Sequence, residues 1–193
     1  SSSTSVGGVM TGLGLSPNKL ETVIGIAKAY TTRVGSGPFP SECIDDESEI
    51  GEDIRKRGFE FGVTTGRQRR VGWLDVNVLK YSHVINGFSS INLTKVDILS
   101  PLKQIKIGVG YKYADGTRYE GLFPASLEEL SKLKLEYEIL PGWESDISEI
   151  TEYDKLPSNC KAYIERVEEL SGIPVSWIGV GADRKNMILK TKK

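Results

Sequence analysis

Residues 62–70 read Gly-Val-Thr-Thr-Gly-Arg-Gln-Arg-Arg, so three arginines within four positions follow two threonines and a glycine. Such a loop suits anions. Its amides and hydroxyls can donate to one carboxylate, while arginine forks hold carboxylate or phosphate oxygens at about 1.5–3 kcal/mol per charged hydrogen bond. A basic surface turn that pairs with the acidic stretch before it is the other interpretation, and the composition of the loop does not separate the two.

A second candidate is Thr94-Lys-Val-Asp97, which stands at the end of an apolar stretch. In proteins that bind guanine nucleotides, a motif of this form sets the aspartate carboxylate against the guanine N1 and N2 donors. Adenine would leave that carboxylate unpaired, so the arrangement selects guanine. Taken alone, an aspartate after a strand is more often a helix cap.

The third candidate, Gly179-Val-Gly-Ala-Asp-Arg184, lacks the final glycine of a dinucleotide-binding fingerprint and is followed by Met187-Ile-Leu. A Gly-x-Gly turn after a strand lets a ligand approach the backbone closely, although a plain tight turn is the more frequent explanation. The printed sequence contains no Gly-x-x-x-x-Gly-Lys-Ser/Thr phosphate loop. A nucleotide triphosphate therefore has no evident binding loop in these residues.

Other residue types limit the chemistry. Cys43 and Cys160 have no neighbouring Cys or His at metal-ligand spacing, and the only histidine, His83, lies in an apolar run, so we expect no metal ligand and no catalytic residue here. A formal charge of −1 argues against general nucleic-acid binding. The apolar runs are too short for a membrane span, and Ser1–Ser5 lack the features of a secretory signal, so we expect a cytoplasmic protein.

The elements that must position these residues follow from periodicity. The run 20–30 predicts a helix or a buried strand, and the acidic stretch 42–52 predicts a solvated surface loop. A helix over 74–86 leads into a strand over 89–94. The Asp-Gly pair at 115–116 predicts a hairpin between strands over 104–113 and 117–123.

Further along, Ser126 and Glu129 form a capping-box pattern that starts a short helix. Alternation through Leu135, Tyr137 and Ile139 predicts a strand, the segment after Pro157 a helix, and 175–178 another strand. The fold class is therefore α/β, with a mixed β-sheet, flanking helices and an antiparallel hairpin, and no boundary divides residues 1–193 into two domains.

Several motifs in order carry a family resemblance. The chain resembles the adenylosuccinate synthetase family at residues 7–14 (GGVMTGLG), 28–35 (KAYTTRVG), 62–70, 72–75 (GWLD), 94–97, 140–143 (LPGW) and 177–181 (WIGVG). The similarity covers nearly the whole chain but only about the second half of a family member. It implies that residues 1–193 are the C-terminal portion of a larger synthetase with a P-loop-NTPase-like fold, and that the N-terminal half is absent.

The resemblance implies a GTP-dependent ligase of purine biosynthesis. In this family the 6-oxygen of inosine monophosphate is phosphorylated and the amine of L-aspartate then displaces phosphate, giving adenylosuccinate on the route to AMP. It implies Mg²⁺ with ligands in the N-terminal half, a homodimer of the full-length enzyme, and no nucleic-acid or membrane partner. A fragment alone is expected to be inactive. The alternative is a non-catalytic module that binds guanine nucleotide or packs against a partner.

The resemblance also assigns residues, one by one. The aspartate-binding loop would be Val63, Thr64, Thr65, Gly66, Arg67, Gln68 and Arg69. Gln68 stands where the family often has a third arginine, so its role carries the least weight. Arg67 and Val34 would also contact inosine monophosphate. GTP would meet Arg69, Lys95, Val96, Asp97, Gly179, Val180 and Gly181.

Overall fold

A computed structural model of the chain describes residues 3–190. The α-helices are α1 Gly7–Leu13, α2 Ser48–Arg57, α3 Val76–Asn86, α4 Leu127–Ser131 and α5 Ser158–Ser171. Short 3₁₀ turns occupy Pro17–Lys19, Asp45–Glu47, Val96–Leu99 and Tyr153–Lys155.

The strands are β1 Ile24–Lys28, β2 Thr31–Arg33, β3 Arg70–Gly72, β4 Leu74–Asp75, β5 Ser90–Thr94, β6 Gln104–Lys112, β7 Lys134–Pro141, β8 Val175–Gly179 and β9 Met187–Leu189. They form a four-stranded sheet of order β1-β5-β8-β9, a three-stranded sheet of order β4-β6-β7 and the two-stranded ribbon β2-β3. Strands β1, β5 and β8 are parallel, and β9 is antiparallel to β8. The predicted mixed α/β fold is therefore confirmed.

The core lies where α5 covers the four-stranded sheet. The apolar face of α5, including Tyr163, Ile164 and Val167, is buried as its 3.6-residue periodicity predicts. The hydroxyl of Tyr163 donates to the carbonyl of Ala29 at 2.7 Å, which fixes the helix above the end of β1. The central strand β5 buries Ile91 and Leu93, which are two residues apart and so lie on the same face of the sheet.

Strand β1 resolves the ambiguity of the run 20–30. The segment is a strand, but it lies at an edge of the sheet, and within the described residues it pairs with β5 alone. Ile26 is 78% exposed and Ile24 is also exposed, so the prediction of a buried strand was wrong. The side chains are apolar, yet the described chain provides nothing to cover this edge.

The acidic stretch 42–52 is not a surface loop, and that prediction was wrong. It contains a 3₁₀ turn and the first half of α2, whose residues Gly51 and Ile54 are buried. Charges at helical spacing stabilise α2, because Glu52 pairs with Arg55 and Asp53 with Arg57. High charge density thus belongs to the exposed face of an amphipathic helix.

The predicted hairpin is correct at its turn and wrong at its returning strand. The amide of Tyr113 donates to Thr117 O at 2.8 Å, and Gly116 takes a positive φ of 90°. Beyond one isolated bridge, residues 117–123 form no strand, and the antiparallel partner of β6 is instead β7. Lys112 pairs with Lys134 of β7 and also bridges Arg118, so residues 117–123 lie along the other edge of β6 and continue as a loop after that single bridge.

The remaining helix and strand predictions are confirmed with small shifts. Helix α3 starts two residues later than expected because the buried Asp75 side chain caps it, accepting from the Asn77 amide at 3.0 Å. Ser126 Oγ accepts from the Glu129 amide at the start of α4. Strands β5, β7 and β8 and helix α5 lie where the periodicity placed them, and α5 ends at Gly172 with a left-handed φ of 72°.

Candidate functional site

The carboxyl ends of the parallel strands β1, β5 and β8 bring separate sequence motifs together at one end of the main sheet. Lys28 ends β1 opposite Thr94 of β5, and Leu93 of β5 pairs with Ile178 of β8. Lys95 follows β5 directly, and Gly179 ends β8. In open α/β sheets, ligands bind at this end. The predicted guanine motif and the glycine turn are therefore neighbours.

Lys95 is held in an uncommon backbone conformation. Its φ of 60° lies in the left-handed region, which costs energy for a residue with a side chain. Its Nζ donates to the carbonyl oxygen of Gly58 and to Glu60 Oε1, the latter at 3.0 Å. The adjacent Val96 is fully buried. The backbone and side chain of Lys95 are thus both fixed, and the strain is concentrated beside the candidate base pocket.

Asp97 has a buried carboxylate oxygen without a partner. Its Oδ1 is buried and receives no hydrogen bond from any residue between 3 and 190. Burial raises the pKa of Asp97 above its ordinary value, and the nearby Asp146 raises it further. Asp97 lines a small open cavity of about 270 Å³ together with Arg57 and Asp146. An unpaired buried acceptor costs free energy, and a ligand with N–H donors would satisfy it.

The end of β8 and the turn that follows it lie close to β5. A Cβ added at Gly179 would lie 3.1 Å from the Thr94 Cα. Asn186 steadies this turn, since its carbonyl accepts from the Val180 amide at 2.9 Å and its side-chain Oδ1 accepts from the Asp183 amide at 3.1 Å. A side chain at Gly179 would therefore press on the β5 backbone, and this tight spacing favours the wall of a binding pocket over an ordinary tight turn.

The loop 62–70 closes on itself and presents its tip to solvent. The Gly62 amide donates to Arg67 O at 2.8 Å, and Gly66, with a φ of 65°, donates to Gly62 O at 2.9 Å. Val63, Thr64 and Thr65 are exposed, and their amides donate to no acceptor within residues 3–190. Free amides and a free hydroxyl at the tip are the donors expected of an anion-binding loop.

The three arginines of this loop divide into three different roles. Arg67 is exposed, and its guanidinium makes no hydrogen bond to the described part of the chain. Arg69 Nη1 donates to Glu60 Oε2 at 2.8 Å. Arg70 donates to both carboxylate oxygens of Glu42, at 2.7 and 2.6 Å, and to the carbonyl of Gly37 at 2.8 Å. Arg67 is thus the arginine most available to a ligand, whereas Arg70 is structural.

Glu60 lies at the centre of a group that we call the Glu60 cluster, formed with Lys28, Tyr30, Arg69 and Lys95. The Glu60 side chain is 0% exposed, while those of the three cations are about a third exposed. Oε1 accepts from Tyr30 OH at 2.7 Å, Lys28 Nζ at 2.9 Å and Lys95 Nζ at 3.0 Å. Oε2 accepts from Arg69 at 2.8 Å and Lys28 at 3.0 Å.

These contacts determine the charge states. Burial by itself would raise the pKa of Glu60, but hydrogen bonds from the four donors outweigh burial and lower it to about 2. Burial lowers the pKa of Lys28, and the hydrogen bond to Glu60 only partly opposes this change. Burial and the Glu60 carboxylate raise the pKa of Tyr30. Glu60 is therefore an anion at neutral pH, and Tyr30 is a neutral donor.

Val34 lies at the same end of the β2-β3 ribbon as the arginine loop. Arg33 of β2 pairs with Arg70 of β3, so Val34 and Arg69 each stand one residue beyond the ribbon. Val34 is exposed. Val34 and Arg69, which the family resemblance assigns to different ligands, therefore lie beside each other at one end of the β2-β3 ribbon.

Comparison with known proteins identifies the family. The family model described as adenylosuccinate synthetase matches residues 1–188. The chain belongs to the adenylosuccinate synthetase family. It is 57% identical to the adenylosuccinate synthetase of Dictyostelium discoideum over 188 residues, which is 97% of this chain and 43% of that protein. It is 54% identical to the chloroplastic adenylosuccinate synthetase of Zea mays, covering 98% of this chain and 38% of the maize protein.

A solved structure agrees with the sequence matches. The fully ligated adenylosuccinate synthetase of Plasmodium falciparum superposes with a TM-score of 0.93 at 45% identity, covering 99% of this chain and 45% of that one. The chain therefore spans about two fifths of the length of the adenylosuccinate synthetases that it matches.

Sequence reasoning missed three members of the Glu60 cluster in this synthetase-family chain. Lys28 and Tyr30 lie in a motif that carries the family resemblance, but they received no role, and Glu60 was not singled out. One signal was available, since Glu60 is an isolated charge between Phe59 and Phe61. His83, to which we assigned no catalysis, lies on α3 with its ring 6.1 Å from that of Phe88.

Residues 3–190 of the synthetase-family chain contain neither a cluster of potential metal ligands nor a membrane-length helix. No group of three or more His, Cys, Asp or Glu side chains in this range could hold a metal ion. No helix in the same range is long and apolar enough to cross a membrane.

Proposed function

We propose that residues 1–193 form the C-terminal portion of an adenylosuccinate synthetase, which joins L-aspartate to inosine monophosphate at the expense of GTP. The unpaired, buried Asp97 Oδ1 beside the fixed Lys95 carries this proposal. It supports a pocket for a base with adjacent N–H donors, at the end of the sheet where ligands of α/β proteins bind. Guanine has such donors at N1 and N2.

The guanine pocket would be formed by Lys95, Val96 and Asp97 on one side and by Gly179, Val180 and Gly181 on the other. Asp97 would accept from the base, and the stem of Lys95 would lie along it. Selection against adenine follows because adenine would leave the Asp97 carboxylate buried and unpaired. The close approach of Gly179 to β5 supports this placement, since a side chain there would press on Thr94, the first residue of the guanine motif.

The arginine loop would hold the incoming aspartate. Amides and hydroxyls at Val63, Thr64 and Thr65 would donate to one carboxylate, while Gly66 would hold the turn that presents them. Arg67 would pair with the other carboxylate, with Gln68 in a minor role. Aspartate brings two negative charges to a nucleotide that already carries phosphate. An exposed arginine without a competing partner lowers the electrostatic cost of placing the amine for attack. Arg69 would contribute charge to both aspartate and GTP.

Arg67 and the backbone of Val34 would contact inosine monophosphate from the end of the β2-β3 ribbon. Mg²⁺, which the reaction requires to neutralise the nucleotide phosphates, would be held by residues outside this chain. A homodimer of the full-length enzyme and a cytoplasmic location belong to the same proposal, although the maize relative is named chloroplastic.

The decisive experiment uses Asp97→Asn in a full-length synthetase that contains this sequence. We expect GTP to bind more weakly by about 1–3 kcal/mol, because the amide replaces one acceptor with a donor facing the base. Inosine monophosphate and aspartate should bind nearly as before. Isothermal titration with each ligand in turn would measure the three affinities.

Asp115→Asn is the matched control. Asp115 accepts from the Thr117 amide in the exposed 113–117 turn, which is not part of the proposed guanine pocket. The same chemical change there should leave GTP affinity unchanged. Unchanged GTP affinity for Asp97→Asn would reject the guanine pocket. Equal losses for all three ligands would mean that Asp97 supports the fold and not the base.

The second candidate is a module that binds guanine nucleotide without catalysis. This candidate is favoured because residues 1–193 contain a guanine motif at 94–97 but no phosphate-loop sequence. The two candidates separate in one assay. A full-length protein that binds GTP with the Asp97 dependence above, but forms no adenylosuccinate from inosine monophosphate, aspartate and Mg·GTP, would be the binding module.

A further inference from the structure

We propose that Glu60 is a positioning residue that couples the aspartate loop to the guanine pocket through a single buried carboxylate. The inference rests on the proposed function, since it concerns how two of its substrate sites communicate. Glu60 itself touches no substrate in this proposal. It acts through Arg69 on one side and Lys95 on the other.

Each carboxylate oxygen of Glu60 contacts a cation from a different proposed substrate site. Lys95 of the guanine motif donates to Oε1 at 3.0 Å, whereas Arg69 of the loop donates to Oε2 at 2.8 Å. Rotation of one carboxylate therefore changes both distances at once. Tyr30 OH, at 2.7 Å from Oε1, and Lys28, which reaches both oxygens, limit that rotation. A displacement of either ligand-facing cation is thus transmitted to the other.

The backbone of Glu60 is fixed equally well. Its amide donates to Arg55 O at 2.9 Å, and its carbonyl accepts from the Arg69 amide at 2.9 Å. Phe59, immediately before it, has a left-handed φ of 49° and an exposed ring, which turns the following side chain inward. Arg55 Nε also donates to Arg69 O at 2.8 Å. The end of α2 and the base of the loop are therefore one rigid support for the carboxylate.

A positioning role of Glu60 and a purely electrostatic role predict opposite changes in substrate affinity for Glu60→Gln. Three cations around one carboxylate leave two positive charges in excess, and Glu60→Gln would raise that excess to three. If charge alone mattered, anionic substrates would bind more tightly to the variant. If Glu60 positions Arg69 and Lys95, the released cations repel each other and both substrates bind less tightly.

Steady-state kinetics of the full-length synthetase would distinguish these cases. We expect Glu60→Gln to raise KM for aspartate and KM for GTP by at least about five-fold each, the lower end of typical coupling between sites. KM for inosine monophosphate should change by much less than either of these constants, because neither Arg69 nor Lys95 is assigned to that substrate. The control is Glu42→Gln, which removes the partner of the structural Arg70 and should leave all three constants near their starting values.

A second variant keeps the test valid if Glu60→Gln does not fold. Lys95→Met leaves Glu60 in place and removes a residue assigned only to GTP. We expect it to raise KM for aspartate by about three-fold or more even at saturating GTP, because Glu60 then reorients toward its remaining partners. A merely structural or purely local role of Lys95 would leave the aspartate constant unchanged.

The outcomes separate the inference from the proposed function. Lower KM values in Glu60→Gln, or values equal to those of Glu42→Gln, would overturn the positioning role, as would an unchanged aspartate constant in Lys95→Met. If the unsubstituted enzyme forms no adenylosuccinate, or Asp97→Asn leaves GTP affinity unchanged, the proposed function fails instead. Binding of GTP that is unaffected by aspartate in Glu60→Gln, but strengthened by it in the unsubstituted enzyme, would support the coupling directly.

Discussion

The charge of Glu60 should stabilise the fold in a pH-dependent way, and the effect can be measured on the 193-residue chain. The pKa of Glu60 falls from an ordinary value of 4.5 to about 2, because four donors surround the buried carboxylate. A group whose pKa is lowered on folding contributes stability above its unfolded pKa, and loses it as the pH falls through the folded value. The window here extends from about pH 4.5 down to about pH 2.

The magnitude follows from the same two values. At about 1.4 kcal/mol per pKa unit, the difference corresponds to about 3 kcal/mol at pH 7, and to about half of that at pH 3. This is an upper value, since the three cationic partners are about a third exposed and solvent screens them. Single substitutions usually cost about 1 kcal/mol, so the expected loss in Glu60→Gln is large.

Urea unfolding followed by tryptophan fluorescence at pH 7, 5, 4 and 3 would measure the free energy of unfolding of both proteins. We expect the gap between the unsubstituted chain and Glu60→Gln to be widest at pH 7 and to narrow toward pH 3. The control is Glu128→Gln, whose exposed side chain should change stability by well under 1 kcal/mol at any pH. A gap that stays constant with pH would refute the ionic origin of the effect.

Three further predictions concern the synthetase. Arg67→Leu should raise KM for aspartate and slow turnover in the full-length enzyme, while Lys132→Leu, at an exposed residue just after α4, should do little. Kinetics with aspartate as the varied substrate would test this. Residues 1–193 alone should form no adenylosuccinate from Mg·GTP, inosine monophosphate and aspartate, and turnover that disappears with Asp97→Asn would contradict that expectation. Gly179→Ala should weaken GTP binding by about 1 kcal/mol or more, since its Cβ would press on Thr94. In the control, Gly110→Ala, the Cβ meets only side-chain ends at 3.6 Å or beyond, so GTP affinity should not change. Equal GTP affinities of the two variants in a titration would contradict the placement of Gly179 in the pocket wall.

Periodicity was sufficient to predict α5, which buries one regular apolar face. It also located α3, β5, β7 and β8, although α3 buries only Val76 and Asn77. It failed for α2, where the acidic residues hid an amphipathic helix with few apolar positions. It also failed for the strand expected after Asp115-Gly116. Local turn chemistry decides where a chain reverses, but it does not make the returning residues a strand. The long antiparallel partner of β6 is the distant β7, and no local pattern contains that information.

The candidate site was predictable in part for the same reason. Arg67, Lys95, Asp97 and Gly179 belong to motifs whose residue types and spacing indicate a chemistry. Glu60 has no such motif around it. Its importance arises only when the chain folds and three cations from positions 28, 69 and 95 converge on it, so a single sequence does not reveal it.

The open edge of β1 has a practical consequence for anyone who prepares this chain. An edge strand presents a row of backbone donors and acceptors, and here Ile26 adds an apolar side chain that is 78% exposed. Natural proteins usually protect such edges with charge, proline or a covering segment. When purified alone, the chain is therefore expected to self-associate edge to edge as its concentration rises. Light scattering across a dilution series should therefore precede any binding assay. Ile26→Lys would place a charge on the edge strand and should keep the sample monomeric.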